Sequence, residues 1–91
     1  MFRSETQGQD ALIDATRAYV KSVSDVQDIR LTLEKQQGDF ARVRVEAVDG
    51  STGPALVFVR KQQGRWKPLD LGTGFDAAYY DRQGIPAALR V

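Results

Sequence analysis

Apolar and polar positions follow two different periods along this chain, and the change separates a helical start from a longer remainder. Residues 9–23 repeat apolar side chains at the spacing of an amphipathic helix, with Leu12, Tyr19 and Val23 on one stripe. Residues 6–9 have the T-x-x-Q order of a capping box, which is typical of a helix start. The pattern therefore predicts one N-terminal helix.

From residue 28 onward the period becomes two, which is the period of a strand with one buried face. Runs of this kind are separated by glycine-containing turns and occupy residues 29–34, 40–48, 55–61 and 66–71. Pro68 lacks the N–H group that a sheet ladder requires, so the last strand is expected at an edge or with a bulge. The pattern predicts four antiparallel strands in chain order.

The two ends of the chain complete the predicted architecture. Residues 75–91 predict an irregular tail with short helical turns, and residues 1–8 are expected to be flexible. A helix that lies across one face of an antiparallel sheet buries the apolar sides of both. We therefore expect an α+β fold, with the N-terminal helix packed on a four-stranded antiparallel meander, in one small domain of residues 1–91.

The third predicted strand differs from the others because it is apolar on both faces. Val57 and Val59 point to one side. Leu56 and Phe58 point to the other, where a one-sided sheet would place polar groups. Their covering is either the tail, a second copy of the chain, or a small ligand or other partner. The tail residues that would serve are Tyr79, Tyr80, Ile85 and Leu89.

From the sequence we favour self-association as the way in which Leu56 and Phe58 become buried. The interface would be the outer face of the sheet, which is the face turned away from the helix. Mixed charges surround the apolar positions and suit the rim of a specific interface. The residues predicted to form this interface are Phe40, Arg42, Arg44, Leu56, Phe58 and Arg60. We therefore expect a homodimer, or a complex with another protein.

Histidine and cysteine are both absent from the chain. Without them the chain lacks the usual general base at neutral pH, thiol nucleophiles, and the imidazole and thiolate ligands of metals. No recognisable catalytic motif of other residue types stands in their place. We therefore expect a protein that is not an enzyme and that holds no cofactor and no metal.

The charge balance argues against a nucleic-acid partner. The 13 basic and 12 acidic residues leave a net charge of +1, too small to steer nucleic acid or an anionic membrane. The basic hairpin of residues 60–67 contains Trp66, but a single aromatic residue is little for stacking the bases of a single strand. No apolar run approaches the ~18 residues of a membrane span. We expect neither nucleic-acid binding nor a membrane span.

The glycine-containing stretch LDLGTGFD, residues 69–76, raises the question of a ligand-binding loop. A P-loop requires a lysine after its last glycine and a dinucleotide loop requires a third glycine, and the stretch has neither. A calcium loop needs side-chain ligands at the positions that Gly72 and Gly74 occupy. We interpret the stretch as a structural turn that ends the last strand.

A series of packing and turn residues runs through most of the chain. It comprises Gly38, Asp39, Ala41, Val43, Val45, Gly64, Trp66, Lys67, Asp70, Gly72, Thr73, Gly74, Ile85 and Pro86. The series, with its G-x-W-K hairpin, Gly-Thr-Gly turn and late Ile-Pro, resembles small bacterial envelope-associated domains of the cystatin-like or NTF2-like superfold. The resemblance implies that fold and a location outside the cytoplasm, secreted or in the cell envelope. It implies no activity.

The function that we expect is a non-catalytic binding or assembly module that self-associates through the outer sheet face. An alternative is a small-molecule or peptide-binding domain whose site lies between helix and sheet, near Tyr19, Trp66 and Tyr79. A further alternative is a protein inhibitor, which follows only from analogy of fold.

Overall fold

The computed structural model describes residues 4–26, 28–51 and 53–91. Its elements, in chain order, are α1 (Ser4–Val23), β1 (Ile29–Gln37), β2 (Phe40–Ala47), β3 (Ala55–Gln62), β4 (Arg65–Gly72), α2 (Ala77–Gln83) and a short 3-10 helix (Ala87–Leu89). The strands form one antiparallel sheet in the order β1-β2-β3-β4. The predicted α+β fold is confirmed, with the N-terminal helix packed on a four-stranded meander.

The helix α1 begins earlier than predicted. It starts at Ser4 rather than at residue 9, so the T-x-x-Q sequence lies inside the helix and does not cap it. Gly8 lies within the helix, where a glycine lowers helix stability by about 1 kcal/mol relative to alanine. The neighbouring glutamine residues are good helix formers and offset part of this loss. Residues 1–3 lie outside the described residues, and the expected flexibility of residues 1–8 stays a prediction.

One face of α1 packs on the sheet. Leu12, Thr16 and Val20 lie four residues apart and are buried. Thr16 donates its hydroxyl to the Leu12 carbonyl oxygen at 2.8 Å, so this buried polar group is satisfied. Val23, which the helical stripe also predicted to be buried, is 54% exposed because α1 ends there.

Both edge strands of the sheet carry a bulge. In β4 the extra residue is Leu69, between Pro68 and Asp70, as the missing N–H of Pro68 led us to expect. In β1 the extra residue is Glu34. Bulges and proline interrupt the row of free backbone groups through which an edge strand pairs with another chain.

The sheet has an apolar core on each of its faces. On the side of α1 lies the helix-side core, formed by Leu12, Val20, Ile29, Ala41, Val43, Val45, Val57 and Val59. On the outer face lies the tail cluster, formed by Phe58, Tyr79, Tyr80, Ile85 and Leu89. Strand β3 contributes to both, because its alternating side chains are apolar on both sides. The sheet is therefore the middle layer of three.

Candidate functional site

The outer face of the sheet is covered at Phe58 by the tail of the same chain. After β4, Asp76 caps α2 by accepting a hydrogen bond from the Tyr79 N–H at 2.9 Å. The helix α2 then places Tyr79 and Tyr80 against Phe58, whose ring centroid lies 5.6 Å from that of Tyr80. Of the coverings left open by the sequence, the tail accounts for Phe58, which is fully buried.

Two arginines of the outer face hold this tail. Arg42 donates from Nη1 to the Leu89 carbonyl oxygen at 2.7 Å and from Nε to Glu34 Oε1 at 2.8 Å. Arg60 donates from Nη2 to the Gln83 carbonyl oxygen. Hydrogen bonds from a charged donor are stronger than those between neutral groups, so both ends of the tail segment from α2 to the 3-10 helix are anchored.

Of the six residues predicted to form an interface, four contact the tail of the same chain and two do not. Phe58 lies beneath the tail, Arg42 and Arg60 bind tail carbonyl groups, and the Phe40 ring lies 5.1 Å from the Arg60 guanidinium. Arg44 and the half-buried Leu56 remain open to an external molecule. Phe58, expected at an intermolecular contact, is instead buried within the chain, because a covalently linked segment has a higher effective concentration than a separate partner.

The three residues predicted to line a ligand pocket belong to two different cores. Tyr19 and Trp66 pack against the helix-side core, whereas Tyr79 belongs to the tail cluster. Trp66 pairs with Lys61 in the β3–β4 hairpin, and the Lys61 ammonium lies 5.7 Å from the tryptophan ring. Their side chains join cores on opposite faces of the sheet, although Tyr19 lies close enough to Tyr79 to raise its pKa, and a pocket formed by all three stays a prediction.

A cavity between helix and sheet does exist, at the end of the molecule where α1 stops, and we call it the end pocket. Its volume is about 120 Å³. Its lining includes Val20, Val26, Ile29, Ala47, Ala55 and Leu71. Ser24 also lines it, but the serine hydroxyl is engaged locally because it accepts the Val26 N–H at 3.2 Å.

One exposed apolar side chain adjoins the end pocket along the chain. Val23 directly precedes the lining residue Ser24 and is 54% exposed. Sequence reasoning missed this pocket, although one signal was present: Val23 continues the apolar stripe of α1 just where the helix ends. The end pocket and its mouth form the first candidate site.

A second cavity lies on the outer face of the sheet, and we call it the outer pocket. Its volume is about 220 Å³, and it is more open than the end pocket. Its lining residues are Glu34, Arg44, Pro54, Ala55, Leu56 and Thr73. Ala55 lines both cavities, so both lie at the end of the sheet where the β2–β3 loop enters β3.

The Gly-Thr-Gly stretch forms a turn between β4 and α2. Gly72 is the last residue of β4, and a Cβ atom added to it would meet the Phe75 ring at 3.3 Å. Asp76 caps α2. Because Gly72 has no side chain, Phe75 packs closely against it.

Among the described residues no group of three or more acidic, histidine or cysteine side chains is placed to hold a metal ion.

Tyr79 is the titratable group that its surroundings perturb most visibly. Its hydroxyl is buried and makes no hydrogen bond of regular geometry among the described residues, although the Asp70 carboxylate lies close enough to attract its proton. Burial, together with the nearby Asp70 carboxylate, raises the pKa of Tyr79 above its ordinary value of 10.0. The phenol therefore stays neutral at neutral pH and is poorly suited to act as a base.

Two further findings bear on identity. No helix in the described part of the chain is long and apolar enough to cross a membrane. Comparisons of the chain with models of protein families, with curated proteins and with solved structures find no match. The cystatin-like or NTF2-like resemblance therefore stays a prediction. The two pockets are the features of the structure that bear on function.

Proposed function

We propose that this chain is a non-catalytic binding module that takes an apolar group of a small molecule or peptide into the end pocket. The observation that supports the proposal is an apolar cavity of about 120 Å³ at the end of α1, where Val23 next to the lining residue Ser24 is exposed. Apolar cavities of about 150 Å³ stay dry and take up small apolar molecules. Exposed apolar groups around such a cavity extend the surface that a ligand would bury.

The size of the end pocket sets the scale of the ligand and of its affinity. A cavity of about 120 Å³ holds a branched aliphatic group or a small ring rather than a large cofactor. Each methylene buried there contributes about 0.8 kcal/mol. A fragment therefore binds weakly alone, and a peptide or larger molecule gains affinity by also covering the exposed Val23.

Charges around the mouth favour a ligand that carries an amine beside its apolar group. The exposed Asp28 directly precedes the lining residue Ile29. The exposed Asp49, whose carboxylate accepts the Ser51 N–H at 2.9 Å, lies two residues after the lining residue Ala47. The C-terminal end of α1 adds the partial negative charge of the helix dipole. Lys21, in the last turn of α1, offsets part of this charge.

The proposal is tested by titrating the ¹⁵N-labelled chain with isopentylamine and following backbone amide resonances. We expect saturable shifts at Val26 and Ala47, which line the end pocket. Ala47→Leu fills the cavity and should weaken binding at least about tenfold, since a tenfold change corresponds to only about 1.4 kcal/mol. The same substitution should preserve or raise the free energy of unfolding, because cavity filling commonly adds about 0.5–2 kcal/mol.

The matched control is Ala78→Leu, the same substitution at an exposed position of α2. It should leave the binding of isopentylamine unchanged. Equal binding by the parent chain and Ala47→Leu would contradict the proposal, as would shifts spread evenly over the surface.

Self-association through the outer sheet face stays a prediction with narrower support. Four of its six residues contact or anchor the tail, so dimerisation through all six would require the tail to leave. Light scattering over a wide concentration range tests it. A mass that rises with concentration supports self-association, and the mass of one chain at every concentration removes it. The location outside the cytoplasm likewise stays a proposal that only the resemblance supports.

A further inference from the structure

The outer pocket lies over the part of β3 that the tail leaves open. The tail buries Phe58, but Leu56, two residues earlier on the same face, is only half-buried and lines the cavity. Pro54 and Ala55 extend the apolar floor that Leu56 begins. The cavity of about 220 Å³ thus has an apolar base that no side chain of the tail cluster fills.

Arg44 stands at the rim of this pocket with unused hydrogen-bonding capacity. Its Nη1 lies 3.7 Å from Glu34 Oε2 and its Nε lies 3.7 Å from Glu46 Oε2, so both contacts are ion pairs too long for hydrogen bonds. Glu34 is held more tightly by Arg42, at 2.8 Å. The Arg44 side chain is 44% exposed. Its guanidinium can therefore turn its donors toward an anion in the pocket.

The charges around the outer pocket favour an anion over a cation. Arg30, Arg42 and Arg44 share this face of β1 and β2 with Glu34 and Glu46, which leaves a surplus of positive charge. Thr73, exposed at the end of β4, adds a hydroxyl group to the lining. Phosphate has no apolar body to bury against Leu56, so a carboxylate that carries one is expected to bind more tightly.

We propose that the outer pocket binds a small carboxylate with a short apolar body. Arg44 pairs with the carboxylate, whose two oxygens match the planar fork of a guanidinium. Leu56, Ala55 and Pro54 receive the apolar body, whose removal from water favours binding. The assignment is independent of the proposal for the end pocket. The end pocket would bind an apolar group that carries an amine, and the outer pocket would bind an apolar group that carries a carboxylate.

The test uses isovalerate, its neutral amide isovaleramide, and inorganic phosphate as probes of the ¹⁵N-labelled full chain. We expect isovalerate to shift the Leu56 and Thr73 amides saturably and to leave the Val26 and Ala47 amides of the end pocket in place. Isovaleramide, which has the same shape without the charge, should bind at least about tenfold more weakly, because hydrogen bonds between charged groups are stronger than those to a neutral group. Phosphate should bind more weakly than isovalerate.

Two substitutions of Arg44 and one control complete the experiment. Arg44→Gln should weaken isovalerate binding at least about tenfold, and Arg44→Lys, which keeps the charge but loses the fork, should give an intermediate affinity. Arg30→Gln removes the same charge from the neighbouring strand and the same face, outside the pocket lining, and should weaken binding much less than Arg44→Gln. A dispersed spectrum establishes that each variant is folded.

Several outcomes would overturn the assignment. Equal binding of isovalerate and isovaleramide would show that no charge is recognised. An equal loss in Arg44→Gln and Arg30→Gln would show attraction by the general charge of the sheet. Phosphate that binds as tightly as isovalerate would indicate a simple anion site, and shifts confined to Val26 and Ala47 would place the ligand in the end pocket.

Discussion

At the scale of single residues, the two adjacent tyrosines of α2 have opposite hydrogen-bonding situations. Both are buried in the tail cluster. The Tyr80 hydroxyl donates to the Val91 carbonyl oxygen at 3.2 Å and accepts the Val91 N–H at 3.3 Å. The Tyr79 hydroxyl makes no hydrogen bond of regular geometry among the described residues and has only a looser contact with the Asp70 carboxylate. Removing these two hydroxyl groups should therefore have different consequences.

We predict that Tyr79→Phe leaves the free energy of unfolding unchanged or raises it by up to about 1 kcal/mol, because it removes a buried polar group that gains no hydrogen bond of regular geometry. Tyr80→Phe, the matched control, should lower it by about 0.5–1.5 kcal/mol because it removes satisfied hydrogen bonds. Urea unfolding measures both. A loss in Tyr79→Phe as large as that in Tyr80→Phe would show that the Tyr79 hydroxyl is bonded in solution.

Tyr79 should also make the stability of the fold depend on alkaline pH. Because burial and Asp70 raise the pKa of Tyr79 in the folded chain, the folded state keeps its proton at pH values where the unfolded state loses it. The contribution is complete below the ordinary value of 10.0 and is lost as pH rises above it. Urea unfolding on either side of that pH should show a smaller loss in Tyr79→Phe than in the parent chain. Parallel losses in both would contradict this.

At the scale of elements, β3 has the most protected position because both cores of the sheet use it. Val57, Phe58 and Val59 are all fully buried, with neighbouring strands on both sides. The end of β1, residues 35–37, is exposed throughout, at a sheet edge. Backbone hydrogen bonds open most readily where few apolar contacts cover them.

We predict that the amides of residues 57–59 exchange with solvent only through global unfolding, so that their exchange reports the full free energy of unfolding. The amides of residues 35–37 should exchange much faster, through local opening. Native-state hydrogen exchange followed by NMR checks both. Comparable protection in the two segments would mean that β3 opens locally, and that the tail cluster does not stabilise it as the packing indicates.

At the scale of the whole molecule, the two faces of the sheet carry separate cores, the tail cluster and the helix-side core, which unfold either together or separately. Trp66, the single tryptophan of the chain, packs on the helix side, and Leu89 is fully buried in the tail cluster. A substitution of Leu89 that changes the unfolding of Trp66 would show that the two faces of the sheet unfold as one unit.

We predict that Leu89→Ala lowers the free energy of unfolding measured by Trp66 fluorescence by about 2–5 kcal/mol, the usual cost of such a deletion in a core. Ala88→Ser, at the exposed neighbouring position, should stay within about 0.5 kcal/mol of the parent. A tryptophan transition that Leu89→Ala does not move would show that the tail is a separate unit. Such a tail could leave Phe58, and self-association through the outer face would gain support.

The sequence by itself determined the elements and the faces of the strands, because both follow from local periods. Alternation placed Val57 and Phe58 on opposite faces, and the missing N–H of Pro68 predicted an edge strand with a bulge. The start of α1 at Ser4 was missed, since the polar first turns carry no apolar period. Local signals of this kind do not report which distant segments meet.

Only the tertiary structure decided what covers Phe58 and where the cavities lie. The sequence showed that β3 was apolar on both faces, but the tail, a second chain and a ligand satisfied that requirement equally. The choice depended on whether the tail reaches across the outer face, where Arg42 binds the Leu89 carbonyl oxygen of the 3-10 helix and Arg60 binds the Gln83 carbonyl oxygen of α2. The end and outer pockets exist where α1 and the tail stop short of the sheet end, because cavities are set by the mutual placement of elements rather than by any residue pattern.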